Sequence, residues 1–258
     1  MLGKLMKYEL KAFGRVMIPL YGALIAATFV FGLTIRLSMN ATAKTIFDRF
    51  AIVGGFLFVG VLVAIMVMMV VLIVQRFYNN LLGPEGYLMF TLPATTLEHI
   101  LSKALSAIIW LILGMITGII SGFLMISLTG NLTEFFREIQ AGLRTLHADN
   151  NLTLNLFLIA LLVLIGIVSS ICKVYAALSI GHQWSGHRVF GAVLAFIGIG
   201  IVEVGITALL SKLGIYDPGQ AAQSFRTFIA YGIVTSLIQI LVYGGVSWVL
   251  LDRRLNLE

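Results

Sequence analysis

Six apolar runs, each long enough to cross a bilayer, dominate this chain: Val16–Ile35, Ala51–Val74, Ala104–Leu128, Leu154–Cys172 (continuing toward Ile180), Val189–Leu210 and Phe228–Leu251. About 20 mostly apolar residues in a helix cover a hydrocarbon core of roughly 30 Å, where each backbone polar group must be satisfied inside its own helix. Within these limits only Glu203 carries a charge. The chain is 60% apolar and 11% charged, with a mean hydropathy of +1.04. Soluble domains are about a quarter charged, so these charges are too few to coat a water-facing surface. The expected fold is all-α: one polytopic membrane domain over residues 1–258, with six transmembrane helices and an N-terminal amphipathic interfacial helix.

That entry helix is expected over residues 1–15. At about 100° per residue Lys4, Lys7, Lys11 and Arg15 share one face, while Leu2, Leu5, Met6, Leu10 and Phe13 lie opposite. Such a segment is expected to set its apolar face in the acyl boundary and its cations against anionic headgroups, making membrane lipids a partner. Glu9 projects from the apolar face, which predicts either a protein partner or a frayed end reaching water. The following run is too long for the roughly 7–15-residue core of a cleaved signal peptide, so it reads as a retained first span.

Basic residues set the orientation. With both termini cytoplasmic, the inside holds Lys4, Lys7, Lys11, Arg15, Arg76, Lys103, Lys173, Arg188, Arg253 and Arg254, and the outside holds the other seven of the 17. Four of the inner group precede the first span, which usually dominates. Orientation also accounts for the net charge of +6, and no nucleic-acid partner is expected. Cys172 is the single cysteine, so no internal disulfide can form.

Within the spans, Gly114, Gly118 and Gly122 recur every fourth residue and offer a smooth strip for close helix packing, within or between subunits. Tyr231, Thr235, Gln239, Tyr243 and Ser247 form a polar stripe on the last span. It is expected to face other helices or a wet path. Glu203 is an intramembrane acid and so a functional candidate by default. It could pair at a subunit interface, meet a cationic substrate, or make a structural hydrogen bond while protonated. Together Glu203, Thr235, Gln239 and Tyr243 are the candidate pathway residues.

Two connections stand out. Residues 75–98 contain a sharp Gly83-Pro84-Glu85-Gly86 turn, exposed apolar residues (Tyr87, Leu88, Phe90, Leu92), a stop at Pro93, and Thr95-Thr96-Leu97-Glu98. The last four fit a capping box that starts the next helix. Apolar side chains displayed outside a membrane predict either a docking partner or re-entry into the interface. Residues 129–153 place Phe135, Phe136, Ile139, Leu143 and Leu146 near one helical face, which predicts a short helix lying on the outer surface.

The opening Lys7-Tyr8-Glu9-Leu10-Lys11, the block Glu85-Gly86-Tyr87-Leu88-Met89-Phe90-Thr91-Leu92-Pro93, and Val174-Tyr175-Ala176-Ala177-Leu178-Ser179-Ile180-Gly181 followed by His187-Arg188 resemble bacterial ABC transporter permeases of the small class-two exporter family. The resemblance implies that the loop after the second span is a coupling helix docking on a separate cytoplasmic ATPase. Glu85, Gly86, Tyr87, Leu88 and Phe90 would face that subunit, and His187 and Arg188 would form a smaller contact. It also implies a second permease copy or a homologous permease as partner, export as the direction, and the bacterial cell membrane as the location.

The chain lacks the Gly-rich phosphate loop of an ATPase, so ATP and magnesium are expected on the partner and no cofactor on this chain. No catalytic residues are expected. His99, His147, His182 and His187 are read as loop residues, with no converging carboxylate or cysteine to complete a metal site. The alternative is an ATP-independent secondary transporter or channel. Such proteins typically carry broken helices and several charges at mid-depth, and a lone central Glu203 argues against it. An intramembrane enzyme would need a converging reactive set within the spans, which the sequence lacks.

Overall fold

The computed structural model describes residues 2–40, 44–83, 95–130, 132–147, 152–184, 187–213 and 225–253. They form seven α-helices: α1 (Leu2–Asn40), α2 (Lys44–Phe77), α3 (Thr96–Thr129), α4 (Leu132–His147), α5 (Leu152–Gly181), α6 (Arg188–Lys212) and α7 (Phe225–Arg253). All but α4 are long and apolar enough to cross a membrane. The chain is thus an all-α, multi-pass membrane protein. With six such helices among the described residues, Leu2 and Arg253 lie on one side, the terminal side.

The expected amphipathic entry helix is the start of α1. Leu2 to Asn40 is one unbroken helix of 39 residues with Pro19 inside it. Lys4, Lys7, Lys11 and Arg15 are exposed as the pattern requires. The opposite face is packed rather than laid in lipid: Phe13 is fully buried, and Glu9 is only 6% exposed.

The described residues cluster into two compact units. One comprises Met6–Leu72 and Ser106–Leu152. Here α1 and α3 run parallel and meet along their length. Trp110 Nε1 donates to the Leu10 carbonyl at 3.2 Å, Tyr21 Oη to the Trp110 carbonyl at 2.7 Å, and the Thr28 and Ser121 hydroxyls pair at 2.5 Å. Gly114 lies where this contact is tight, since a Cβ there would sit 2.8 Å from Tyr21 Oη. Gly118 and Gly122 have open space around the Cβ position, so among the described residues the expected strip packs within the chain only at its first member. On α2, Gly54 and Gly55 admit Phe31 of α1, whose ring stacks on Phe58 at 5.9 Å. Gly130, at φ +83°, turns α3 into α4. That left-handed conformation suits glycine because it has no Cβ. The expected amphipathic helix after the third span is α4, and Phe136 meets Phe123 of α3 edge-on at 6.3 Å.

The other unit comprises Met1–Leu5, Ile73–Leu105 and Thr153–Glu258. Its core lies at the terminal-side helix ends. Phe77 of α2 stacks on Tyr175 of α5 at 4.1 Å, and a π-helical turn (Tyr78–Leu82) buries Leu81 and Leu82 beside them. Ile100, Ala104, Ala176, Ala177 and Leu178 are buried too. Polar His99, Ser102 and Lys103 are buried on the first turns of α3, which corrects the reading of His99 as a loop residue. His147 likewise is the last residue of α4. The expected capping box is present: the Glu98 amide donates to Thr95 Oγ1 at 3.3 Å and the Thr95 amide to Glu98 Oε2 at 3.1 Å.

Burial concentrates at these ends for a physical reason. Apolar surface gains by leaving water, but gains nothing by exchanging lipid for protein. Accordingly α6 contains no buried residue from Val193 to Lys212.

Candidate functional site

The candidate site is a polar network at mid-depth, built from α5, α6 and α7. Lys173 Nζ donates to Glu203 Oε2 at 2.5 Å. Glu203 Oε1 accepts from Gln239 Nε2 at 3.0 Å and from Tyr243 Oη at 2.5 Å. Gln239 in turn accepts from the Ser169 hydroxyl at 2.7 Å.

Helical periodicity brings these residues together. Ser169 and Lys173 are one turn apart on α5, and Gln239 and Tyr243 one turn apart on α7. On α6, Phe196, Gly200 and Glu203 share a face. The ammonium of Lys173 lies 5.2 Å from the Phe196 ring centroid and 3.9 Å from where a Cβ on Gly200 would be. The Phe196 ring presents its negative face to the cation.

Depth follows from α7. Gln239 is midway in sequence between Arg226, which donates to Asn155, and Asp252, which accepts from Thr96. These two polar contacts mark opposite ends of the bundle. The network therefore sits near the middle of the apolar span, where an unpaired charge is expensive. Two opposite charges cancel here, and three donors share one carboxylate. The side chains of Lys173 and Glu203 keep 20% and 26% exposure.

Several expectations change. Lys173, counted among the cytoplasmic-side cations, lies inside α5, so Glu203 is not the lone central charge. Glu203 needs no cationic substrate for neutrality and bonds within its own chain. Gln239 and Tyr243 of the polar stripe join it. Thr235 does not: its hydroxyl donates to the Tyr231 and Gly232 carbonyls of its own helix. Ser247 likewise turns back, to the Tyr243 carbonyl. Sequence reasoning missed Lys173 and Ser169. The usable signal was the apolar stretch Val174–Ile180 continuing past the lysine.

On the terminal side, Glu85, Gly86, Tyr87, Leu88 and Phe90 lie outside the described residues. His187 and Arg188 line an open groove of about 580 Å³ with Tyr78, Val189 and Phe190. Tyr78 also meets the buried His182 edge-on at 6.3 Å. Among the described residues no group of three or more metal-ligating side chains converges. Comparison with known proteins returned no matching family model, curated protein or solved structure.

Proposed function

We propose that this chain is the membrane-spanning subunit of an ATP-driven transporter, working as a dimer with a separate cytoplasmic ATPase that holds the ATP and magnesium. In this reading both termini and the 75–98 connection are cytoplasmic, the membrane is the bacterial cell membrane, and cargo moves outward by alternating access. Glu85, Gly86, Tyr87, Leu88 and Phe90 take the push, with His187 and Arg188 as a second contact.

The observation that carries this reading is the build of the helices that frame the 75–98 connection. Both helices that frame it outlast the bilayer: α2 and α3 have 34 residues each, about 51 Å by helical rise against a core of roughly 30 Å. The terminal-side stretches 73–83 and 95–105 belong to the best-packed region of their unit, around Phe77 and Tyr175. A force applied between Gly83 and Thr95 would reach helices that move as rigid bodies, as hinge and shear transitions need. One of the three motifs that resemble class-two permeases, Glu85–Pro93, occupies this same stretch.

A second reading has its own support. The Lys173–Glu203 pair is the kind of mid-depth charge that ion-coupled transporters use. Affinity purification from detergent separates the two. The first expects a stoichiometric partner that hydrolyses ATP. Cargo movement by the chain alone in liposomes, driven by an imposed ion gradient, favours the second.

A further inference from the structure

Two attachments, with little between them, hold α6 to its neighbours. At its start Gly191 and Ala192 are its buried residues, and the contact there is backbone to backbone: a Cβ on Gly181 would lie 2.2 Å from the Ala192 nitrogen. Past Ala192, every residue to Lys212 is at least partly exposed. Gly198 and Gly205 meet nothing within 4 Å of a Cβ position, so no side chain interlocks there. About three turns beyond Ala192 comes Glu203. Among the described residues of α6 past Ala192, it is the one whose side chain hydrogen-bonds to other helices.

Lipid gives that arrangement its meaning. Apolar contact between helices has no hydrophobic drive in a bilayer, and association depends on close packing and hydrogen bonds. From Val193 to Lys212, α6 has no fully buried residue and draws its hydrogen bonds to other helices from a single carboxylate. We propose that α6 is a hinged helix, with the Gly181–Ala192 contact as its pivot and the Lys173–Glu203 pair, braced by Gln239 and Tyr243, as the latch that docks its far half on α5 and α7. All three donors converge on Glu203, so losing that one negative charge weakens every bond together. From Ala192 to Leu209 the lever is about 26 Å, so a swing of about 10° moves the tip by about 4–5 Å. The hinge serves either energy source.

The test is a distance measurement between spin labels at Leu209 on α6 and Phe228 on α7, both exposed. It uses the full chain in lipid nanodiscs on a Cys172→Ala background. A single narrow distribution is expected with the latch intact, and broadening or a shift of about 4–5 Å, set by the lever length, in Glu203→Gln and Lys173→Met. The exchange Lys173→Glu with Glu203→Lys restores the opposite charges and is expected to narrow the distribution again. If the single charge variants do not fold, Gln239→Leu and Tyr243→Phe each remove one bond to Glu203 and are expected to broaden it partially. A distribution that stays narrow in every folded variant means that packing alone holds α6, and overturns the latch.

Discussion

Lys173 on α5 and Glu203 on α6 meet at 2.5 Å in the middle of the apolar span, each removing the electrostatic penalty of the other. Breaking such a pair is more damaging than deleting it, because the survivor stays uncompensated in a poorly polar setting. Lys173→Met or Glu203→Gln alone is expected to lower unfolding stability by about 1–3 kcal/mol, after allowance for partial exposure. The double variant is expected to lose less than the sum of the two. Denaturant titration of all four proteins measures the coupling; strictly additive losses would show that the charges do not interact.

Gly181 tolerates no side chain, because the nearest atoms to its missing Cβ are the nitrogen and Cα of Ala192 at 2.2 and 2.4 Å. Backbone cannot move aside as a side-chain tip can. Gly181→Ala is expected to cost about 3 kcal/mol or more by overpacking, seen as a lower melting temperature or lost monodispersity. Gly118→Ala fills open space and is expected to change stability by less than about 0.5 kcal/mol. Equal effects of the two substitutions would contradict the close α5–α6 approach.

The capping pair at the start of α3 gives a local prediction. Thr95→Ala removes the acceptor of the Glu98 amide and is expected to cost about 1 kcal/mol. Hydrogen exchange at the Glu98 amide is expected to quicken about fivefold while the core around Phe77 keeps its protection. No change at Glu98 would mean that the cap does not hold this end.

The six crossings and the capping box were legible because each rests on local pattern: long apolar runs, and Thr95 three residues ahead of Glu98. The continuity of α1 was less so. A change of amphipathic character at Arg15 looks like a boundary, yet nothing between Arg15 and Val16 breaks a helix. The candidate site was half legible. Fourfold spacing exposed Gln239 and Tyr243, and Glu203 declared itself as an acid among apolar residues. Lys173 did not, because a lysine near a span end commonly reaches for the interface. Its partner is thirty residues away and identifiable only from how α5 and α6 cross. Thr235 shows the converse: the right spacing, but a hydroxyl that satisfies itself on its own backbone.

Orientation has a direct check. Single cysteines at Tyr87 and at Glu138, on α4, in a Cys172→Ala background are to be probed with a membrane-impermeant thiol reagent added to intact cells. Position 138 is expected to label, and position 87 only after the cells are opened. Labelling of position 87 from outside inverts the topology and removes the basis for a cytoplasmic docking loop.

ATP hydrolysis by the purified chain with its ATP-binding partner tests the proposed function most directly. Glu85→Ala and Tyr87→Ala are to be compared with the native complex at equal partner occupancy. The expected result is an intact complex whose hydrolysis falls by about fivefold or more, equivalent to about 1 kcal/mol of lost coupling. An unchanged rate, or no ATP-binding partner at all, contradicts the account.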